Sequence, residues 1–215
     1  MFRGEDLRHR DFSGAELDGH RFEDCLLAGA RFRGASLAGA VFSGCRAWEA
    51  DEAPADFSYA DLREAVFERC DLSMASFHRA RAYDLSLSDC QAQGTDFSQL
   101  DTRLPVQTRT PMVRCTMTRC NLSYADLARI DLTGADLSGS RLLEASLDEC
   151  CLRDADLRDT DLNNVSGRGF EIAGADLRGA VFNNLDPRQL DLRGVRIRPE
   201  QVPLLLEPVG VVIED

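Results

Sequence analysis

Large apolar residues recur at every fifth position along most of the chain. Counting from Phe2, nine successive fifth residues up to Phe42 are all Leu or Phe. The frame resumes at Phe57 and at Met112, with an interruption before each, and it weakens at Gly167. A period of five matches neither an α-helix, with 3.6 residues per turn, nor a flat strand, with a period of two. The pattern therefore predicts a chain that turns a corner every five residues.

A second column of residues stands two positions before each large apolar residue, and its members are small. It is mostly alanine and cysteine, as in Ala30, Ala35, Ala40 and Cys45. The repeating unit therefore reads small, polar, Leu or Phe, polar, polar or Gly. We expect the small and the large side chain to point inward and the other three positions to face water.

The unit Ala-Asp-Leu matches the A(D/N)LXX consensus of the pentapeptide-repeat family, which the chain resembles. It occurs at residues 125–127, 135–137, 155–157 and 175–177. The resemblance implies an all-β fold, a right-handed quadrilateral parallel β-helix with 20 residues per coil. Phenylalanine occupies alternate central positions up to Phe42, so it should form stacks on two opposite walls at about 4.8 Å per coil. The alternation shifts by five residues before Phe57, which predicts a loop with about five surplus residues.

The interruptions and the tail set the predicted domain organisation. The β-helix covers residues 1–198, with loops at about 46–54 and 100–111, and a C-terminal segment covers 199–215. In that segment residues 200–206 could form a short helical turn and 209–213 a strand. Its apolar residues have no coil to enter, so we expect them to lie in a homodimer interface; these residues are Val202, Leu205, Leu206, Val209, Val211 and Ile213.

Within the pentapeptide-repeat family, the chain resembles the Qnr quinolone-resistance proteins. The resemblance rests on two loops, the C-terminal segment and the sequences at 70–75, 90–94, 108–110 and 121–125. It implies a dimeric rod that binds DNA gyrase or topoisomerase IV and protects the enzyme from fluoroquinolones, with the larger loop critical and the smaller assisting. The partner-binding residues would be Arg103, Leu104, Thr108, Arg109, Thr110 and Met112 in the larger loop, and Trp48, Glu49, Asp51 and Glu52 in the smaller.

The net charge points to a basic partner. The 25 basic residues, all arginine, and 37 acidic residues give a formal charge of −12. Such a charge repels nucleic acid and anionic lipid and attracts basic surfaces, so we expect no direct nucleic-acid binding.

Acidic residues spaced by 20 or 40 should stack on two walls of the coil. Asp136, Asp156 and Asp176 would form one column, and Asp131, Glu171 and Asp191 would lie on another wall. Two interpretations stay open. The columns could be a solvated face in which Asp serves backbone hydrogen bonds, or they could imitate the phosphates of DNA. Arg158 and Arg178 would neutralise part of the first column.

The sequence offers little for catalysis. Seven of the eight cysteines fall in the small inward column, where they act as slightly larger alanines. Only Cys151 points outward, and no nucleotide-binding, nucleophile or zinc motif is present. We therefore expect a protein that is not an enzyme and has no metal and no cofactor.

The start of the chain and its longest apolar stretch predict where the protein lies. The residues after Met1 lack the apolar core of a signal peptide, and prolines and charges break the apolar stretch 202–213, so we expect a cytoplasmic protein without membrane contact. One alternative function is a pentapeptide-repeat scaffold that binds another basic partner. A more distant one is an enzyme that uses surface acids or Cys151.

Overall fold

The backbone forms a right-handed quadrilateral parallel β-helix, as predicted. We analysed a computed structural model that describes residues 1–103 and 115–211. We number the four walls by their first central residue: Phe2 for wall 1, Leu7 for wall 2, Phe12 for wall 3 and Leu17 for wall 4. Wall 1 is a six-stranded parallel sheet in sequence order. Its strands are β1 (Phe2–Arg3), β2 (Arg21–Glu23), β3 (Val41–Ser43), β4 (Val66–Glu68), β5 (Ser86–Ser88) and β6 (Thr116–Thr118).

The corners explain why most units end on a glycine or a polar residue. The last residue of the unit adopts a left-handed conformation, with φ of 58° at His9 and 67° at Gly14. Glycine adopts this conformation without strain, and short polar residues tolerate it better than bulky ones. The backbone N–H at the corner then donates to the next coil, as from His9 to the Ala28 carbonyl at 3.0 Å.

Two phenylalanine stacks fill the N-terminal half of the core. On wall 1 the ring centroids of Phe22 and Phe42 are 4.5 Å apart, and on wall 3 those of Phe32 and Phe57 are 4.8 Å apart. Rings from the two walls meet edge to face, with Phe22 and Phe32 at 5.8 Å and 90°. The prediction that phenylalanine occupies two opposite walls is confirmed. Offset stacks and edge-to-face pairs are both favourable aromatic geometries.

The smaller loop leaves the coil between walls 2 and 3. The strand register rises from 20 to 25 residues there, because Phe42 pairs with Phe67, so the predicted five surplus residues are present. Ala47 is fully buried, and its carbonyl accepts a hydrogen bond from the Ala55 N–H at 2.8 Å. The excursion therefore covers residues 48–54, and Arg46, placed in the loop by the sequence pattern, still pairs with both neighbouring coils.

The larger loop leaves the coil between walls 4 and 1, at the diagonally opposite corner. The register rises to 30 residues, since Leu87 pairs with Met117. Leu100 and Thr102 are buried at 3% and 1% exposure, so the predicted loop start at residue 100 is too early. The coil continues through Thr102, and residues 104–114 lie outside the described part of the chain.

The C-terminal segment packs against the last coil. Helix α1 (Val202–Leu206) lies between 3₁₀ turns at Pro199–Gln201 and Glu207–Val209. The expected helical turn is present, but the strand predicted from Val209 is wrong where the chain is described, because Val209 ends the second 3₁₀ turn and Gly210 follows with φ of 81°. Leu204 and Leu205 pack on the core, so these side chains do have a coil end to cover.

Gln201 closes the end of the rod. Its side chain is 4% exposed, and its Nε2 donates to the carbonyls of Leu177 and Ala180 at 2.7 Å each. Its Oε1 accepts from the backbone N–H groups of Arg198 at 2.7 Å and Gly179 at 3.3 Å. One carboxamide thus forms hydrogen bonds with four backbone groups at the end of the rod, where no further coil follows to bond with them.

Candidate functional site

The predicted acidic column on wall 1 forms as expected. Asp136, Asp156 and Asp176 occupy consecutive coils and are linked by parallel bridges. The Oδ1 of each accepts a hydrogen bond from the backbone N–H two residues later, at 2.9, 3.1 and 3.2 Å respectively. The aspartates therefore hold the backbone at the start of each corner, as the solvated-face interpretation requires.

Arginines neutralise two of the three carboxylates. Arg158 lies 2.5 Å from Asp156, and Arg178 and Arg196 lie 2.6 and 3.4 Å from Asp176. Asp176 is only 3% exposed, and the Arg178 hydrogen bond lowers the pKa of this carboxyl to about 2. Within the described residues, Asp136 is the one member of the column without a salt-bridge partner. The column thus presents little free negative charge.

The acids predicted on wall 4 are likewise interrupted. Cys151 lies between Asp131 and Glu171 in the bridge ladder. Glu171 pairs with Arg153 at 2.5 Å, and Asp191 pairs with Arg193 at 2.6 Å. The Asp-x-Arg pairing of these columns recurs along the rod, at Asp6 with Arg8, Asp61 with Arg63, Asp101 with Arg103, and Asp186 with Arg188.

Acidic residues of the smaller loop attach it to the first coils. Glu49 lies 3.2 Å from Arg8 and 3.9 Å from Arg46. Glu52 lies 3.0 Å from Nε2 of His9. Asp51 is exposed at the turn of the loop. Of the predicted acids in this loop, Asp51 is therefore the one best placed to meet a partner.

At the base of the larger loop, several arginines lie beside aspartates. A groove there is lined by Arg79, Arg81, Arg103 and Arg129 together with Asp101 and Asp131. Arg103, the predicted contact residue, lies 3.3 Å from Asp101. The other predicted residues of this loop lie outside the described part of the chain, namely Leu104, Thr108, Arg109, Thr110 and Met112.

The predicted dimer residues divide into exposed and packed ones. Val202 and Val211 are 39% and 44% exposed. Leu206 and Val209 are half-buried, and Leu205 packs against the core of its own chain. Ile213 lies outside the described residues. The dimer interface stays a prediction, and its exposed part is smaller than the sequence suggested.

The inward cysteines pack as the sequence predicted. Cys25, Cys45, Cys70, Cys90 and Cys120 occupy the same corner column of successive coils and are at most 2% exposed. Their thiols donate to backbone carbonyls, as Cys70 does to Phe42 at 3.4 Å. Cys151 is partly exposed, with its Sγ 3.1 Å from Oγ1 of Thr133. Among residues 1–103 and 115–211, no group of three or more His, Cys, Asp or Glu side chains is placed to hold a metal ion.

Sequence reasoning missed an apolar groove beside the smaller loop. Met74 and Tyr124 stand at outward corner positions and are 54% and 56% exposed. Trp48, at the start of the loop, lines the same groove. The available signal was a large apolar or aromatic residue in a slot that the repeat mostly gives to glycine or polar residues.

The described residues contain no helix long and apolar enough to span a membrane. The sequence matches the family model for pentapeptide repeats in eight copies, over residues 6–44, 60–99, 112–139 and 125–164. No curated protein gives a significant match.

Solved structures of QnrB1, described as a plasmid-mediated fluoroquinolone resistance protein, resemble this fold closely. The full-length QnrB1 structure is 29% identical, with a TM-score of 0.91 over 97% of this chain and 99% of that chain. A trypsin-treated QnrB1 variant is also 29% identical, with a TM-score of 0.86 over 100% of this chain and 98% of that one.

Proposed function

Because the chain belongs to the pentapeptide-repeat family and shares the full-length fold of the Qnr proteins within it, we propose that it protects a bacterial type II topoisomerase from fluoroquinolones. The partner would be DNA gyrase or topoisomerase IV. The observation that carries the proposal is the match to full-length QnrB1 over 97% of this chain and 99% of that chain.

Charge supports a basic partner surface. The formal charge of −12 favours association with the DNA-binding surface of a topoisomerase and raises the rate of encounter. Within the described residues, Asp71, Asp126 and Asp136 are among the carboxylates that have no salt-bridge partner, and such unpaired carboxylates are better able to imitate phosphates than paired ones. Asp156 and Asp176 contribute less, because their charges are already paired.

The protein would act by occupying a surface rather than by catalysis. The core is filled by its own Leu and Phe side chains. The loops would contact the enzyme near the drug site, through Trp48 and Asp51 in the smaller and the Thr-Arg-Thr sequence in the larger. We place the protein in the cytoplasm as a homodimer, with the exposed Val202 and Val211 at the subunit contact.

Competition with DNA tests this binding mode. Immobilised gyrase holoenzyme is incubated with the protein and increasing amounts of linear duplex DNA at fixed ionic strength. We expect the protein to bind and to be displaced by DNA, because both would occupy the same basic surface. Binding that DNA leaves unchanged would contradict mimicry, and absence of binding to gyrase and to topoisomerase IV would contradict the proposed partner.

The extensive Asp–Arg pairing favours one alternative, a pentapeptide-repeat scaffold for another basic partner. A rod whose acids are largely neutralised has less resemblance to a phosphate lattice. In that case the loops are insertions without a role in binding. Recovery of a different basic protein, from a lysate in which topoisomerase subunits never bind, would support this alternative.

A further inference from the structure

A shallow apolar groove lies at the corner between walls 2 and 3, where the smaller loop leaves the coil. Its lining residues are Trp48, Ser73, Met74, Gln93, Gly94 and Tyr124. Met74, Gly94 and Tyr124 occupy the same corner position of three successive coils. Trp48 reaches the groove from the first residue of the loop. Two aromatic rings and a thioether thus line one groove on the surface of an otherwise polar corner.

Gly94 keeps this groove open. The Sδ atom of Met74 lies 2.7 Å from the point where a Cβ atom on residue 94 would stand. Any larger residue would therefore displace the Met74 side chain and fill the space between Met74 and Tyr124. The corner geometry favours glycine for its φ of 62°, but neighbouring corners carry other residues at similar angles. The contact is with the flexible end of Met74, so a side chain at position 94 would move Met74 into the groove rather than strain the coil.

Three sequences that carry the Qnr resemblance converge on this groove. They are residues 70–75, 90–94 and 121–125. The inward residues of these sequences are explained by the coil, which needs small and large apolar side chains in alternation. The corner conformation accounts for Gly94. It does not require Met74 or Tyr124, because a glycine or a polar residue would form the same corner, so their exposed side chains are available for binding.

The surroundings of the groove are acidic. The Tyr124 hydroxyl lies 3.5 Å from Oε1 of Glu144, and Asp71 accepts a hydrogen bond from the Ser73 N–H at 3.0 Å. Asp51 is exposed in the adjoining loop. The arginine beside the loop on wall 2, Arg46, is paired with a carboxylate, because it lies 3.9 Å from Glu49. Aromatic faces near carboxylates attract a cation, by cation–π attraction and by charge.

We propose that this groove binds an arginine or lysine side chain presented by a basic protein partner. The rod itself contains one such contact, in which the Arg33 guanidinium lies 4.5 Å from the ring centroid of Tyr59. The aliphatic part of the bound side chain would pack on Met74 while its cation faces Tyr124 and Trp48. The inference rests on the proposed function for the identity of the partner, but not for the chemistry of the groove.

Tryptophan fluorescence tests the groove directly, because Trp48 is the only tryptophan in the chain. The full-length protein is titrated with an acetylated and amidated (Gly-Arg)₄ peptide and with the matched neutral (Gly-Gln)₄ peptide. We expect a saturable change in Trp48 emission with the arginine peptide and none with the glutamine peptide.

Tyr124→Ala should weaken binding about fivefold, the value expected for loss of one cation–π contact. Tyr124→Phe, which keeps the ring, should bind within about twofold of wild type.

Tyr59→Ala is the matched control. Tyr59 is 42% exposed and has a φ of 60°, close to the 61° of Tyr124, but it lies at the corner between walls 3 and 4. Both alanine variants keep the net charge, so non-specific attraction of the arginine peptide is the same. Equal weakening in the two variants, or an equal response to the glutamine peptide, would overturn the proposal. Emission that depends on protein concentration without peptide would indicate a second copy in the groove and would also overturn it.

The same variants separate this inference from the proposed function. A protein that binds the arginine peptide but neither topoisomerase would contradict the proposed function and leave the groove assignment in place. A protein that binds gyrase with an affinity unchanged by Tyr124→Ala, and gives no peptide response, would contradict the groove and leave the proposed function in place.

Discussion

At the scale of single residues, aspartate before the central leucine has two roles that the sequence alone could not separate. Its Oδ1 accepts the backbone N–H two residues later, as Asp136 does from Ser138 at 2.9 Å. When that later residue is arginine, the guanidinium also pairs with the carboxylate, as Arg178 does with Asp176. The spacing correctly predicted which aspartates stack. It could not show which charges remain free, because that depends on rotamers of neighbouring arginines.

Asp176 provides a test of this pairing through pH. Its pKa is about 2 in the folded protein against 3.8 for an ordinary aspartate. Because the folded pKa is lowered, its contribution to stability is complete above about pH 4 and is lost as the pH falls towards 2. We expect Asp176→Asn to lower the free energy of unfolding by about 2 kcal/mol at pH 7, and by clearly less at pH 3.

Urea unfolding followed by circular dichroism at the two pH values measures this difference. Asp136→Asn is the control, since Asp136 holds the same position on wall 1 without a salt-bridge partner among the described residues. It should change the stability by about 0.5 kcal/mol or less. A loss at pH 7 that is the same for both variants would show that the arginine pair contributes nothing.

At the scale of structural elements, the five-residue period predicted the coils, the phenylalanine stacks and the number of surplus residues in the smaller loop. It misplaced the loop boundaries, because the coil tolerates an inward residue that is neither Leu nor Phe. Ala47 is fully buried at a central position, and Thr102 is buried with its Oγ1 donating to the Asp131 carbonyl. A break in the apolar column is therefore not the same as a break in the coil.

The five-residue period also could not predict the cap formed by Gln201, because this cap is a single polar residue outside the repeat. We expect Gln201→Ala to leave the N–H groups of Gly179 and Arg198 and the Ala180 carbonyl without partners. The loss should cost about 2 to 3 kcal/mol. Hydrogen exchange followed by mass spectrometry should show faster exchange in the last coils and little change near the N-terminus, since repeat proteins lose structure locally. Glu200→Ala, an exposed neighbour, is the control. Uniform acceleration along the rod would contradict a local capping role.

At the scale of the whole molecule, the distribution of charge and the positions of the loops limit how a partner can bind. The net charge of −12 was evident from the sequence, but its distribution was not, since many acids pair with arginines of the same or the next coil. The two loops leave diagonally opposite corners of the coil, as the registers of Phe42 with Phe67 and Leu87 with Met117 show. One flat surface cannot reach both loop bases at once. A single partner must therefore contact the rod on two sides, or bind through one loop at a time.

Gyrase supercoiling at an inhibitory fluoroquinolone concentration, titrated with this protein, tests the central claim most directly. We predict that supercoiling returns at a low molar excess of the protein. A variant lacking residues 104–111, with an unchanged circular dichroism spectrum and melting temperature, should fail to restore it, whereas Glu200→Ala should restore it fully. Failure of the folded wild-type protein to restore the activity of either gyrase or topoisomerase IV would contradict the account.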